Sequence, residues 1–474
     1  MNKKRISTFL VALTFLMAML LSFTACSAKN GQNGSDRTTA GVKDVKNPLL
    51  NSIITSDIYL GVTDKESPED PEEPSDPGEM KFALSQDGSY YTVTGMGDCI
   101  DTDIVIPEEY EGKPVKAIGS YAFSSKSKIT SVTIPETVTK IGRDAFYNCQ
   151  ALTKVYITSI EKWCGISFET VYSTPLYRTA TGLDVTYVPV ELYVNGELLT
   201  ELNLTNSVSK ISDWAFCGYN LLESVSLSGV TNVGDFAFYG CVGLESVTLS
   251  ESVRSLGYMS FACCEQLSEM VIPEGTEEIN HYAFYCCKSL EKVKIPSSVS
   301  TIGEFAFDNC VSLKEISTAT SNTAYKSLEG NLYTIDGKTL LQYATGKTET
   351  EFAVPAGVEN ISDWACARTK NLSRVVLPAS VKHIGDYAFA MSEVLVKVEA
   401  TNTLETIGAF AFKNSINLKE ITLGAALAKV GRGAFDKCIS LSDVYYSAPR
   451  EKWSSINIDS YNNSYFAGAT RHYS

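Results

Sequence analysis

Cys241, Cys264, Cys287 and Cys310 follow one another at 23-residue intervals, and Cys149 and Cys438 hold the same place in other copies of one phrase. Thiols so regularly placed could bridge to their neighbours, hold a soft metal, or fill a core as small hydrophobes. Other copies narrow the choice. The same slot carries Lys126, Tyr219, Thr369, Ser392 and Ser415, and a position that accepts Cys, Ser or Thr is a tight, buried one rather than half of a bridge. No C-x-x-C pair occurs, so the ligand spacing of a zinc site is missing. The expectation is free core thiols, with no metal and no cofactor.

The other reactive residue types do not converge. There are three histidines, His281, His383 and His472, and the first two stand at different places in their phrases. Neither H-E-x-x-H nor G-x-S-x-G is present. Gly346-Lys347-Thr348 imitates the tail of a phosphate loop, but Leu341 stands where its first glycine belongs. Asp98, Asp101 and Asp103 lack the glycine and terminal glutamate of a calcium loop. No catalytic residue emerges. The aromatic slot before the repeated alanine (Tyr121, Trp214, Phe236, Tyr282, Phe305, Trp364, Tyr387, Phe410) could stack on sugars. Rings recurring in eight of the eleven copies pack on one another more readily than on a ligand.

What must position these groups is the phrase itself. "HYAFYCCKSLEKVKIPSSVSTIGEFAFDNCVSL" (281–313) repeats after 23 residues, and the Ala-Phe pair with its variants can be followed from Ala122-Phe123 to Ala434-Phe435 in eleven units. Each unit begins with V-x-I-P, apolar residues two apart as on one face of a strand, and the proline stops it. V-x-x-I-G follows, with Ser212, Asn280 or Ser362 in place of the glycine in three units. The preference for glycine suggests a positive φ, while the two serines say that the turn is not strictly left-handed. The A-F-x-x-C-x-x-L segment then returns as a short helical turn. One unit cannot bury its own apolar face, whereas stacked units share a continuous core.

This pattern resembles the BspA-type leucine-rich repeat over roughly residues 82–474; "IPSSVSTIGEFAFDNCVSLKEI" matches the family phrase at nearly every fixed position, and "DIVIPEEYEGKPVKAIG" its usual opening. The resemblance implies a leucine-rich-repeat solenoid: a curved coil with a parallel sheet on one face, one strand per rung and short helical turns opposite. It also implies a bacterial surface protein that attaches to host proteins or other cells.

Two interruptions are expected, near 156–200 and 317–353, with hairpins turning at Asn195-Gly196 and Asp336-Gly337. Glu161-Lys162-Trp163 in the first has an echo in Glu451-Lys452-Trp453, within a C-terminal cap at 444–474. Residues 81–120 read as an N-terminal cap and the array proper as 121–474. Lys3, Lys4 and Arg5, the apolar run Phe9 to Phe23 and Thr24-Ala25-Cys26 read as a lipoprotein signal peptide (1–25) with lipidation of Cys26. An acidic, proline-rich linker (26–80) follows.

The formal charge of −15 would become −18 once Lys3, Lys4 and Arg5 were removed. That excess argues against nucleic acid and leaves the membrane contact to the N-terminal lipid. The outward strand positions offer Lys154, Tyr156, Lys292, Lys294, Arg374, Lys397 and Tyr445 as a ligand-contact face for a protein or glycan of a host or neighbouring cell. Two other readings stand beside this one: a structural envelope spacer or assembly protein, and an enzyme with a cleft in the interruptions.

Overall fold

The computed structural model describes residues 79–178 and 189–474. Cys26, the signal segment 1–25 and the linker up to residue 78 lie outside the described residues. The chain divides into two compact units. One runs to Leu199 and includes Ser212–Leu221; the other comprises Thr200–Ile211 and Leu222–Ser474. Each is a parallel β-solenoid.

A single rung shows why. In Lys292–Ile295 the side chains of Val293 and Ile295 are buried while Lys292 and Lys294 point outward. Pro296 ends the strand, having no N–H to pass on. The strand pairs in parallel with Glu269–Val271 before it and Glu315–Thr318 after it, so Glu269, Lys292 and Glu315 stand in one row. The rung also contributes a second strand, Thr301–Ile302, paired in parallel with Glu278–Ile279. The chain then turns inward, burying Phe307, Cys310 and Leu313. Phe238, Phe261, Phe284 and Phe307 lie ring over ring at 5.1, 5.7 and 5.7 Å, within 6° of parallel. Burying each ring stabilises by about 1.5–3 kcal/mol, and stacking adds about 0.5–1.5 kcal/mol.

The return segment is not a helix but a run of i to i+3 turns, because it contains left-handed residues. Tyr282 (φ 57°) and Cys286 (φ 62°) are two of them, and Phe305, Asn309, Tyr387 and Met391 repeat the pattern. Left-handed backbone costs about 1–2 kcal/mol per residue. It is tolerated because it aims alternate N–H groups at the next rung: Tyr282 donates to the Glu304 carbonyl at 3.2 Å, Phe284 to Ala306 at 2.9 Å and Cys286 to Asp308 at 3.0 Å. At about 0.5–1.5 kcal/mol each, these bonds roughly offset the strain, and ring burial decides the balance.

The glycine that fills this place in eight of the eleven units, with Ser212, Asn280 and Ser362 in the others, corrects the expectation of a positive φ. Gly257, Gly303, Gly385 and Gly408 are not left-handed. They are small because the rung before leaves no room: a Cβ on Gly408 would come within 2.5 Å of the Gly385 backbone carbon, and one on Gly303 within 2.2 Å of the His281 nitrogen.

Both interruptions contain tight hairpins. Asn195-Gly196, with φ of 52° and 85°, joins Glu191–Val194 to the antiparallel Glu197–Leu198. In the larger unit, Asp336-Gly337 joins Asn331–Thr334 to Thr339–Gln342, and a further hairpin at Glu329-Gly330 precedes it. Thr339–Gln342 then resumes the stack by pairing in parallel with Asn360–Ile361.

Beside this interrupted rung lies a buried ion pair. The Arg368 Nη1 donates to both carboxylate oxygens of Asp308 at 2.8 Å, 60 residues away in sequence, and the side chains are 9% and 2% exposed. The Arg368 guanidinium also lies 4.9 Å from the Trp364 ring.

Two stability measurements follow. Gly408→Ala should cost about 2–4 kcal/mol by thermal or urea unfolding, whereas Gly468→Ala, whose Cβ meets nothing within 4 Å, should change little. Asp308→Ala should cost about 3–5 kcal/mol by stranding a buried guanidinium, and the pair Asp308→Leu with Arg368→Met should recover most of that loss.

Candidate functional site

The parallel register turns alternate strand residues into outward rows. In the smaller unit Asp103, Ser131, Lys154 and Glu191 form one row and Val105, Thr133, Tyr156 and Tyr193 the next. Tyr156 and Tyr193 stack with centroids 5.1 Å apart and planes 22° from parallel. Tyr193 donates its hydroxyl to Glu191 at 2.9 Å, and this bond to a carboxylate pushes the phenol above its ordinary range.

The larger unit carries the other expected contacts on two separate sheets. Lys292 and Lys294 occupy the sheet of Glu269–Val271, Lys292–Ile295 and Glu315–Thr318, with the Lys294 Nζ 4.0 Å from Glu269. Arg374, Lys397 and Tyr445 share the sheet that runs from Glu351–Ala353 to Thr470–Tyr473. There the Arg374 guanidinium reaches Glu351 at 2.7 Å and Glu399 at 2.6 Å, and Lys397 reaches Glu399 at 3.0 Å and Glu420 at 3.2 Å. Hydrogen bonds from Lys397 and then Arg374 hold the Glu399 carboxyl below the usual range. Tyr445 lies flat against His472, whose Nε2 is 2.7 Å from Asp443.

The seven contact residues are therefore divided among three sheets. The two cations Arg374 and Lys397 are engaged with neighbouring carboxylates rather than waiting for a ligand. The row Glu351, Arg374, Lys397, Glu420 and Asp443, read at steps of one repeat, is the sequence signal that would have shown this. Tyr193 and His472 were missed because the interruption and the chain's last strand break the count by which outward positions were found.

The slot residues do structural work. Thiols donate to the carbonyl one rung back: Cys149 to Phe123 at 3.0 Å, Cys287 to Phe261 at 3.2 Å, Cys310 to Phe284 at 3.1 Å and Cys438 to Phe412 at 3.0 Å. Ser415 donates to Phe389 in the same way at 2.8 Å, which is why Ser substitutes there. Burial pushes the Cys149 thiol up to about 11 and the Cys438 thiol higher still. The aromatic slot forms a second ladder, with Tyr282 on Phe305 at 4.9 Å, Trp364 on Tyr387 at 4.4 Å and Tyr387 on Phe410 at 5.0 Å. The Lys347 Nζ donates to the Glu329 carbonyl, and Asp103 accepts from Thr130 and Ser131. Among the described residues no group of three or more His, Cys, Asp or Glu is placed to hold a metal.

One cavity, of about 300 Å³, opens at the larger unit's interruption. It is lined by the corner Ile302 to Phe307, by Leu332, Leu341 and Gln342, and by Ser362 and Asp363. Glu304 and Asp363 are its ionisable groups. Burial raises the Asp363 carboxyl, while its Oδ1 accepts from the Asp386 N–H at 2.7 Å.

Comparison with known proteins agrees with this architecture. The BspA type leucine rich repeat region matches residues 99–222, 186–314 and 345–467, more than half of the chain. No curated protein matches the chain. A leucine rich cell surface protein from Faecalibacterium prausnitzii is similar in structure, with 26% identity, 83% of this chain and 99% of that one covered, and a TM-score of 0.56. A leucine-rich repeat protein from Bacteroides ovatus is 22% identical over 85% of this chain and 100% of its own, with a TM-score of 0.42. The pneumococcal vaccine antigen PcpA is 18% identical over 84% and 98%, with a TM-score of 0.44. Repeat phrase, stacked rungs and family match coincide along the array, and the chain belongs to the BspA-type leucine-rich repeat family.

Proposed function

We propose that this protein is exported, anchored by lipid on Cys26, and displayed at the bacterial cell surface, where it binds a protein or glycan of a host or neighbouring cell without catalysis. The observation that carries the reading is the outward strand face. In-register rows give a broad surface in which charges are matched among themselves and tyrosines are stacked, as with Tyr156 and Tyr193. Such a surface suits contact spread over many residues, because little of it must be desolvated as unpaired charge. The similar Faecalibacterium protein is described as a cell surface protein, which supports the location.

The enzymatic reading requires paired carboxylates in a cleft at an interruption. Glu304 and Asp363 line one, but the Oδ1 of Asp363 is occupied in joining its rung to the next. The cavity lining includes no histidine, cysteine or lysine to share acid–base work. The arrangement favours recognition over bond cleavage.

Mass spectrometry of the mature protein should find an N-terminal peptide beginning with lipidated Cys26; an unmodified Cys26 in membrane fractions would refute the anchor. Cells displaying the full chain, tested against host matrix proteins and glycans, should bind at least one of them. Tyr156→Ala with Tyr193→Ala should weaken binding through the smaller unit's face about tenfold while the protein stays folded, with only a small fall in melting temperature from the lost stacking. Loss of the gene that alters the envelope but not attachment would favour the spacer reading.

A further inference from the structure

The cavity at the larger unit's interruption has a definite origin. In the regular rung, Ile361 is followed by Ser362, Asp363, Trp364 and Ala365 before Cys366 fills the core slot usually held by phenylalanine. In the interrupted rung, Leu340 pairs with Ile361, and Tyr343 occupies that core slot, donating its N–H to the Ala365 carbonyl at 2.7 Å as Phe389 does to Ala411. Only Leu341 and Gln342 lie between. The corner is two residues short, and the missing pair includes the left-handed aromatic. The ring ladder shows the gap: Phe305 and Trp364 meet edge to face at 6.2 Å, where the neighbouring steps are stacked at 4.4–5.0 Å.

The missing corner leaves particular groups unanswered on the wall before it. In other rungs, the residue after the glycine or its substitute accepts the N–H one repeat later: Asp235 from Tyr258 at 2.7 Å, His281 from Glu304 at 3.1 Å, Asp363 from Asp386 at 2.7 Å and Asp386 from Ala409 at 2.6 Å. Glu304 holds this position on the last full rung; its side chain is exposed to solvent at the mouth of the cavity, and its carboxylate has no hydrogen-bond or ion-pair partner among the described residues. Phe284 gives its N–H to Ala306, yet the equivalent N–H of Phe307 has no acceptor among the described residues. Phe307 lines the cavity together with Glu304, Phe305, Leu332 and Leu341. An open carboxylate, an open amide donor and apolar walls thus meet in a space at the small end of ligand-pocket volumes.

We infer that this notch receives a lysine or arginine side chain from a loop of a partner protein. The cationic head sits at Glu304, the aliphatic stem lies against Phe305 and Leu341, and the Phe307 N–H is available to a carbonyl. Charge complementarity favours the cation, since an acidic side chain would be repelled by Glu304 and a neutral donor would leave its charge uncompensated. The stem suits the apolar walls as long basic side chains do elsewhere. The inference rests on the binding reading and names what the partner would present, at a place apart from the tyrosine face. A small probe therefore tests it without a known partner.

N-acetyl-arginine methylamide and N-acetyl-lysine methylamide, titrated into the full chain and followed by ligand-observed NMR, should bind saturably. N-acetyl-norleucine methylamide, which lacks the charge, and choline, which lacks the carbonyl, should bind about tenfold more weakly. Glu304→Gln should weaken the basic probes about tenfold with an unchanged melting temperature. Inserting Asp-Trp between Leu341 and Gln342, which restores the corner, should abolish binding while leaving the stack folded. Absent binding, equal binding of the norleucine probe or of choline, or indifference to Glu304→Gln would each overturn the assignment. None of those results bears on attachment through Tyr156 and Tyr193.

Discussion

Each rung is fixed by the carbonyls and amides of the one beside it. The left-handed corners exist to aim N–H groups along the stack, as at Tyr282, Phe284 and Cys286. Gly257, Gly303, Gly385 and Gly408 are small because the preceding backbone is already there. The thiol or hydroxyl of the next slot donates one rung back for the same reason. Backbone contact between neighbouring copies therefore governs the choice of residue at several places in the 23-residue phrase, and side-chain burial then supplies the net stability.

Much of this is legible in the sequence, because a fixed period makes every inward position visible many times over. The Ala-Phe pairs and the V-x-I-P strands could be located by counting alone, and the hairpin at Asn195-Gly196 by its turn dipeptide. The glycine could not be interpreted that way: a demand for positive φ and a demand for no side chain both select glycine, and only the distance to the next rung separates them. The return segment misled for a related reason. Ala, Phe, Cys and Leu at spacings of three suggest a helical turn, while the left-handed residues among them include tyrosine, phenylalanine, cysteine and methionine, for which composition gives little warning.

The candidate site was harder to read than the fold. Outward positions vary freely, so a list of them says which residues face solvent but not which are already paired. Arg374 and Lys397 looked available in sequence and are held in a chain of carboxylates in the structure. Glu304, in contrast, looked like one more variable corner residue. Its significance comes from what is missing 23 residues or so further on, and absence of that kind is visible only against the stacked neighbours.

The shortened rung shows how a repeat array can come by a recess at all. A globular core gains one by replacing large side chains with small ones, and every atom removed is taken from packing that several elements share. Here, dropping two residues from an external bend leaves the strands on either side in register, with Thr339–Gln342 still aligned on Asn360–Ile361. Depth is obtained from chain length instead of side-chain volume, so a coil of this kind can acquire or lose a pocket by insertion and deletion while its interior stays as it was.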